Sequence, residues 1–204
     1  MKNVKSLLLV AIIAIAQACN SASNDSVTAA NDANDKKDTT AAVKMNDTTS
    51  TVATPVNTTP VDKNDAEFAV AATSGGMMEV ELGNYAQQNA ASQRVKDFGA
   101  MMVKDHTAAG DELKSMARQK NVTLPETMSN DHQKKTDDLN KKTGKDFDKA
   151  YMKAMVDGHQ STVNDFEKAS KDTKDADVKA WVDKTLPTLK MHLDSAKAIQ
   201  KTLR

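Results

Sequence analysis

Four ionisable side chains sit on otherwise apolar helical faces of this 204-residue chain, and their types could do chemistry together: Glu79, His106, His159 and His192. Two of the histidines close copies of one element, Met102-Val103-Lys104-Asp105-His106 and Met155-Val156-Asp157-Gly158-His159. Neutral imidazole and carboxylate are good ligands for zinc, iron, manganese or copper, and facing helices are a natural place to assemble them. One such group per helix would make a four-coordinate site, with Glu79 as the fourth ligand beside three histidines. Asp105, Asp157 and Glu81 lie next to them as acceptors for the second ring nitrogens. No Glu-x-x-His pair occurs, so the carboxylate-rich chemistry of di-iron helical oxidases is not expected. Two metal-free alternatives stand beside this reading. The histidines could satisfy Glu79 and one another as a hydrogen-bonded core layer, or the layer could serve as a pH-sensitive element.

Four long amphipathic stretches must position these groups. The first starts at Asn64, with Glu67 completing a capping-box pattern, and turns Phe68, Ala71, Ala72, Gly75, Glu79, Leu82 and Ala86 inward. Ser92 caps the second, whose inward row is Val95, Phe98, Met102, His106, Ala109, Leu113 and Met116. The third follows Thr143-Gly144 with Phe147, Tyr151, Met155, His159, Thr162 and Phe166. The fourth is capped near Asp175 and carries Val178, Val182, Thr185, Leu189, His192, Ala196, Ile199 and Leu203, with Pro187 predicted to kink it. Short joints make the first two and the last two stretches antiparallel hairpins. The polar connection from Asn121 to Lys145, with a short surface helix near Asn130 to Lys142, is long enough to run the length of a bundle. His106 and His159 then each lie about fourteen residues from one end, and Glu79 and His192 about eleven, which is roughly 5 Å apart along the axis. One polar group per helix would then meet in one layer. A simple up-down-up-down bundle would also bring them near mid-height, with poorer agreement for His192, so the count favours the crossover, and the predicted fold is an all-α, ferritin-like four-helix bundle.

The remaining titratable and soft side chains carry less. His132 reads as a solvated residue of the connection. Met77, Met78, Met101 and Met102 could be soft copper ligands but read first as core filler, and Trp181 reads as packing. Twenty-eight basic and 28 acidic residues leave no net charge, and lysine is interleaved with aspartate, so a nucleic-acid partner is not expected. No Ser-His-Asp arrangement, phosphate loop or dinucleotide motif is present, and no nucleophile is apparent, which ranks a binding role above an enzymatic one.

The first 60 residues have no core pattern. Lys2 and Lys5 precede an apolar run from Leu7 to Ala16, too short to cross a bilayer, and Ala16-Gln17-Ala18-Cys19 follows. Small residues before the single cysteine resemble a lipobox. This predicts a signal peptide over 1–18, lipidation at Cys19, and export to the cell envelope, with the chain held on a membrane, the outer membrane first among them. Residues 19–61, rich in Ala, Thr, Ser, Asn and Asp, read as a disordered tether, and 62–204 as the bundle domain. Asp25-Ser26-Val27, Asp38-Thr39-Thr40 and Asp47-Thr48-Thr49 resemble bacterial O-glycosylation sites, although chance matches are expected in so Thr-rich a tract.

Four signatures run through these stretches: Phe68 with Gly75-Gly76-Met77-Met78-Glu79-Val80-Glu81-Leu82-Gly83; Phe98-Gly99 with Met101-Met102-Val103, Asp105-His106, Glu112-Leu113 and Leu124-Pro125; Tyr151 with Met155-Val156 and His159; and Thr185-Leu186-Pro187 with Leu189 and His192. Together they resemble a bacterial family of exported proteins known as domain of unknown function 4142, and the resemblance spans Asp65 to Leu203. It implies a ferritin-like fold and an envelope location and no particular reaction. Gly110 stands where the family tends to have Asn. The function these readings support is a membrane-tethered envelope protein holding a transition metal for storage, buffering or stress, against a metal-free interaction or structural module.

Overall fold

The computed structural model describes residues 25–43 and 61–203, and every described element is helical. Six helices follow in order: α1 (Ser26–Val43), α2 (Lys63–Asn89), α3 (Gln93–Gln119), α4 (Asn130–Asn140), α5 (Gly144–Asp172) and α6 (Ala176–Gln200). The signal-peptide and Cys19 predictions fall outside the described residues. No described helix is long and apolar enough to cross a membrane.

α2 with α3, and α5 with α6, form the two antiparallel hairpins. The short joints leave no room for another geometry. The crossover expectation holds, because a parallel bridge between Ala90 and Gly144 puts the starts of α3 and α5 at the same end. Packing of α4 against α2 and α5 carries the connection along the bundle. α6 runs unbroken through Pro187.

The caps explain the helix boundaries and correct two expectations. α2 begins one residue earlier than the capping-box pattern suggests. Asp62 caps it by accepting from the Asn64 N–H at 2.8 Å, while Glu67 is exposed and faces Lys63 at 3.6 Å. Ser92 is the N-cap of α3 but its side chain makes no capping bond. Asp148 of α5 ties down the joint just before α3, accepting from Ala91 N–H at 3.1 Å and Ser92 N–H at 2.9 Å, and it is 2% exposed. A buried carboxylate on two otherwise unpaired backbone donors is a strong tie. Asp148→Ala is therefore expected to cost about 2–3 kcal/mol in urea unfolding, with Asp148→Asn, which keeps one acceptor, in between.

The 19–61 segment is where expectation and structure part. Ser26–Val43 is a helix and not an unstructured tether. It has no apolar stripe, and among its described side chains Ala30 is the buried hydrophobic one. Polar bonds hold it instead. Asn34 brackets Thr123, donating to its carbonyl at 2.9 Å and accepting from its N–H at 2.7 Å. Ser26 Oγ accepts from the N–H groups of Glu126 and Thr127, and Asp25 from that of Asn130. α1 thus lies along the irregular part of the crossover and satisfies backbone groups that no helix there could pair.

The core is in two parts. Towards the α3 and α5 starts lie Leu82, Ala86, Phe98, Met102, Phe147, Tyr151, Met152 and Met155. Towards the other end lie Ala69, Leu113, Val163, Phe166, Val178, Trp181, Val182 and Leu189. Near the level where the two parts meet, each long helix carries one inward ionisable residue.

Candidate metal centre

Glu79 on α2, His106 on α3, His159 on α5 and His192 on α6 are those ionisable residues, and they meet. The imidazole ring centres lie 5.6 Å (His106–His159), 5.3 Å (His106–His192) and 5.4 Å (His159–His192) apart, close to an equilateral triangle. One nitrogen from each ring lies within 4.8 Å of the other two. The side chains of His159 and His192 are fully buried, and those of His106 and Glu79 are 9% and 6% exposed. Helical spacing produces this convergence: each residue follows its helix's inward row at mid-height, and the crossover sets the common end from which the heights are measured.

Each ring uses one nitrogen and leaves the other free. His106 Nδ1 lies 3.0 Å from Glu79 Oε2. His159 Nδ1 lies 3.0 Å from the Met155 carbonyl and 3.4 Å from Glu79 Oε1. His192 Nε2 lies 2.9 Å from Asp105 Oδ2. A carbonyl only accepts, so His159 carries its hydrogen on Nδ1 and keeps a lone pair on Nε2. The unpaired buried nitrogens are His106 Nε2, His159 Nε2 and His192 Nδ1. Three unsatisfied buried acceptors in one layer would cost several kcal/mol if nothing met them.

This geometry revises the expected ligand set. Glu79 reaches the layer, but both of its oxygens face the hydrogen-bonded side of the rings. The group of mutually close donors is the three histidines alone. Of the three expected outer acceptors, Asp105 holds His192. Asp157 instead pairs with Lys153 on the surface, and Glu81 is exposed. His132 is half-buried and not solvated, with Nδ1 2.7 Å from Ser74 Oγ, which joins α4 to α2. Met102 and Met155 are core, as is Trp181, whose indole N–H donates to the Ala109 carbonyl at 3.2 Å. Tyr151, one of the inward row of α5, has a buried hydroxyl without a partner, and burial followed by the Glu79 charge pushes its phenol well up.

Burial also fixes the charge state. It holds His106 down at about 4 against the pull of Asp105, and it lowers His159 and His192 despite Glu79 and Asp105 respectively. It pushes Glu79 up, with His159 opposing. The imidazoles are therefore neutral near pH 7, the form that binds metal. An unfolded histidine titrates at 6.5, so the unfolded chain takes up protons that the buried rings refuse. The metal-free protein then loses stability as pH falls from 6.5 towards about 4. Glu79 acts oppositely: its folded carboxyl keeps its proton above 4.5, so its contribution is lost as pH rises through the folded value. Three rings against one carboxyl set the net sign, and the urea midpoint is expected to be lower near pH 5 than near pH 7.

Comparison with known proteins agrees on the fold. The family model described as "Domain of unknown function (DUF4142)" matches residues 50–199. No curated protein matches the chain. Among solved structures, CopM in its Cu(II)-bound form is similar with a TM-score of 0.60 at 17% identity, covering 69% of this chain and 97% of CopM. CopM in its Cu(I)-bound form is similar at 0.58 and 16%, covering 68% and 96%. A DUF305 fragment from Deinococcus radiodurans is similar at 0.62 and 10%, covering 70% and 99%.

Proposed function

The chain belongs to the DUF4142 family, and we propose that it serves as an envelope metal-binding protein, held on a membrane through lipid at Cys19. His106 Nε2, His159 Nε2 and His192 Nδ1 are the ligand atoms. The observation that carries this reading is that the three nitrogens left without partners in the buried core belong to the three rings that converge. No protein group meets those acceptors, so the layer has room for a guest with which three lone pairs can bond, and a metal ion is the guest that three converging imidazoles fit best.

In this reading, a metal ion would accept the three imidazole lone pairs that the core leaves unpaired. Glu79 holds His106 and His159 in the tautomer that presents Nε2, and Asp105 holds His192 in the one that presents Nδ1. Such outer acceptors orient the rings and raise their basicity. An all-imidazole set suits copper and zinc ahead of manganese, which prefers oxygen. The likeness in fold to CopM, solved with copper, supports copper as the first ion to try. Storage or buffering fits better than catalysis, because the layer offers no nucleophile and two of its three rings are fully buried.

The test is metal content. The full chain is purified in detergent, incubated with Cu²⁺, Cu⁺ or Zn²⁺, and desalted. One equivalent retained, and lost on replacing Glu79 with Gln by about 10–100-fold in affinity, is the expected result. No retained metal with any of the three ions contradicts the proposal.

A further inference from the structure

A cleft of 1220 Å³ runs along α2 and α5 and reaches the metal layer at two of its residues, Glu79 and His106. His159 and His192 do not line it, and both are fully buried. Four glycines line the cleft, Gly75 and Gly76 from α2, Gly110 from α3 and Gly158 from α5. A Cβ at Gly75 would come only into ordinary contact, 4.0 Å from His132 Cε1, and at Gly76, Gly110 and Gly158 it would meet nothing within 4 Å, so packing does not require those three. Each costs about 1 kcal/mol relative to alanine in a helix interior. Glycines elsewhere in the bundle have a packing reason, as Gly83 and Gly99 do where α2 and α3 touch. These three share only the cleft, and what they provide is width.

The wall is also charged out of proportion to the chain. Asp65, Glu67, Glu79, Glu81, Asp111, Asp165 and Asp172 stand against Lys114, Lys135 and Lys168, seven carboxyl groups to three ammonium groups, in a chain with no net charge. Glu81 and Asp165 make no ion pair among the described residues and are exposed. A concave wall of one sign concentrates the opposite ion. At its inner end stands His106, nine-tenths buried, with Nε2 unpartnered.

We propose that this cleft is the entry path of the metal cation, with Glu79 and His106 as its inner gate. The inference rests on the metal-binding reading above and adds the route. The carboxylates draw the cation in, the glycines leave room for it with its water, and movement of the His106 ring away from Glu79 opens the layer. Glu79 is the one carboxylate that touches both the cleft and two of the rings.

Stopped-flow kinetics with Zn²⁺ on the full chain test this, with uptake followed by competition with a chromophoric chelator and release by chelator excess. Gly76→Leu with Gly158→Leu fills the cleft without touching a ligand. Uptake and release are both expected to slow about tenfold, with Kd within about threefold of wild type, as for a gate that alters the path and not the end states. Glu81→Lys with Asp165→Lys lies on the surface and leaves the fold alone. It is expected to slow uptake several-fold at low ionic strength, with the difference fading as salt shortens the Debye length to about 3 Å near 1 M. Wild-type rates in the lysine variant, whatever the leucine variant does, overturn the entry path while leaving the metal site standing. If wild type takes up no Zn²⁺, Cu²⁺ or Cu⁺, the metal-binding reading itself falls, and the route with it.

Discussion

His159→Ala is expected to abolish metal-dependent stabilisation of this protein. A ligand that binds only the folded state adds RT ln(1 + [L]/Kd), about 4 kcal/mol at a thousandfold excess over Kd. For a chain of this size that raises Tm by roughly 10 °C. His159 is the ring to remove because it is fully buried and its Nδ1 is already committed to the Met155 carbonyl, leaving Nε2 for the metal. Alanine also leaves a cavity, so the variant's metal-free Tm is expected to fall as well. The informative quantity is therefore the shift between metal-free and metal-loaded forms of each protein, read by calorimetry with Cu²⁺ or Zn²⁺. A shift in His159→Ala equal to that of wild type would remove this residue from the site.

The second large effect lies away from the site. At Gly99 a Cβ would stand 2.7 Å from the Gly83 carbonyl oxygen and 2.8 Å from Ala86 Cβ, and at Gly83 it would stand 2.7 Å from the Gly99 carbonyl. Backbone cannot yield as a flexible side chain does. Alanine at either position must push α2 and α3 apart, and those helices carry Glu79 and His106. Gly99→Ala is expected to destabilise by about 1–3 kcal/mol, more than the gain in helix propensity of about 1 kcal/mol can offset. The opposite sign is expected at Gly110, where the space is open, so Gly110→Ala should be stabilised by up to about 1 kcal/mol. Parallel urea titrations of the two variants check both signs. Equal effects would mean that the close approach of α2 and α3 is not what places glycine there.

Much of this arrangement is legible in residue order because it follows from helical counting. The repeated Met-Val-x-x-His element fixes equal heights for His106 and His159, and the heights of Glu79 and His192 follow once the long connection is read as a crossover. Asp175 reads as a cap and is one, accepting from Asp177 and Val178 N–H groups. What counting cannot give is direction within the layer. Whether Glu79 offers its oxygens to a metal or to ring nitrogens depends on rotamers, and these place it on Nδ1 of two histidines. Asp148 is not legible for a related reason, since it holds the α2–α3 joint 56 residues away in sequence and no local motif announces that. α1 was hidden because periodicity reports burial, and α1 is held by Asn34, Ser26 and Asp25 through polar bonds to the crossover. His132 looked solvated in a polar stretch, but α4 turns it onto Ser74.

In the proposed site, three rings from three helices share one metal through the nitrogens that the core leaves unpaired. X-ray absorption at the metal edge of the copper-loaded full chain tests it most directly. Three nitrogen neighbours near 2.0 Å, with the multiple-scattering signature of imidazole, are expected. A shell of oxygen neighbours without imidazole scattering would contradict it, and would place the metal on surface carboxylates.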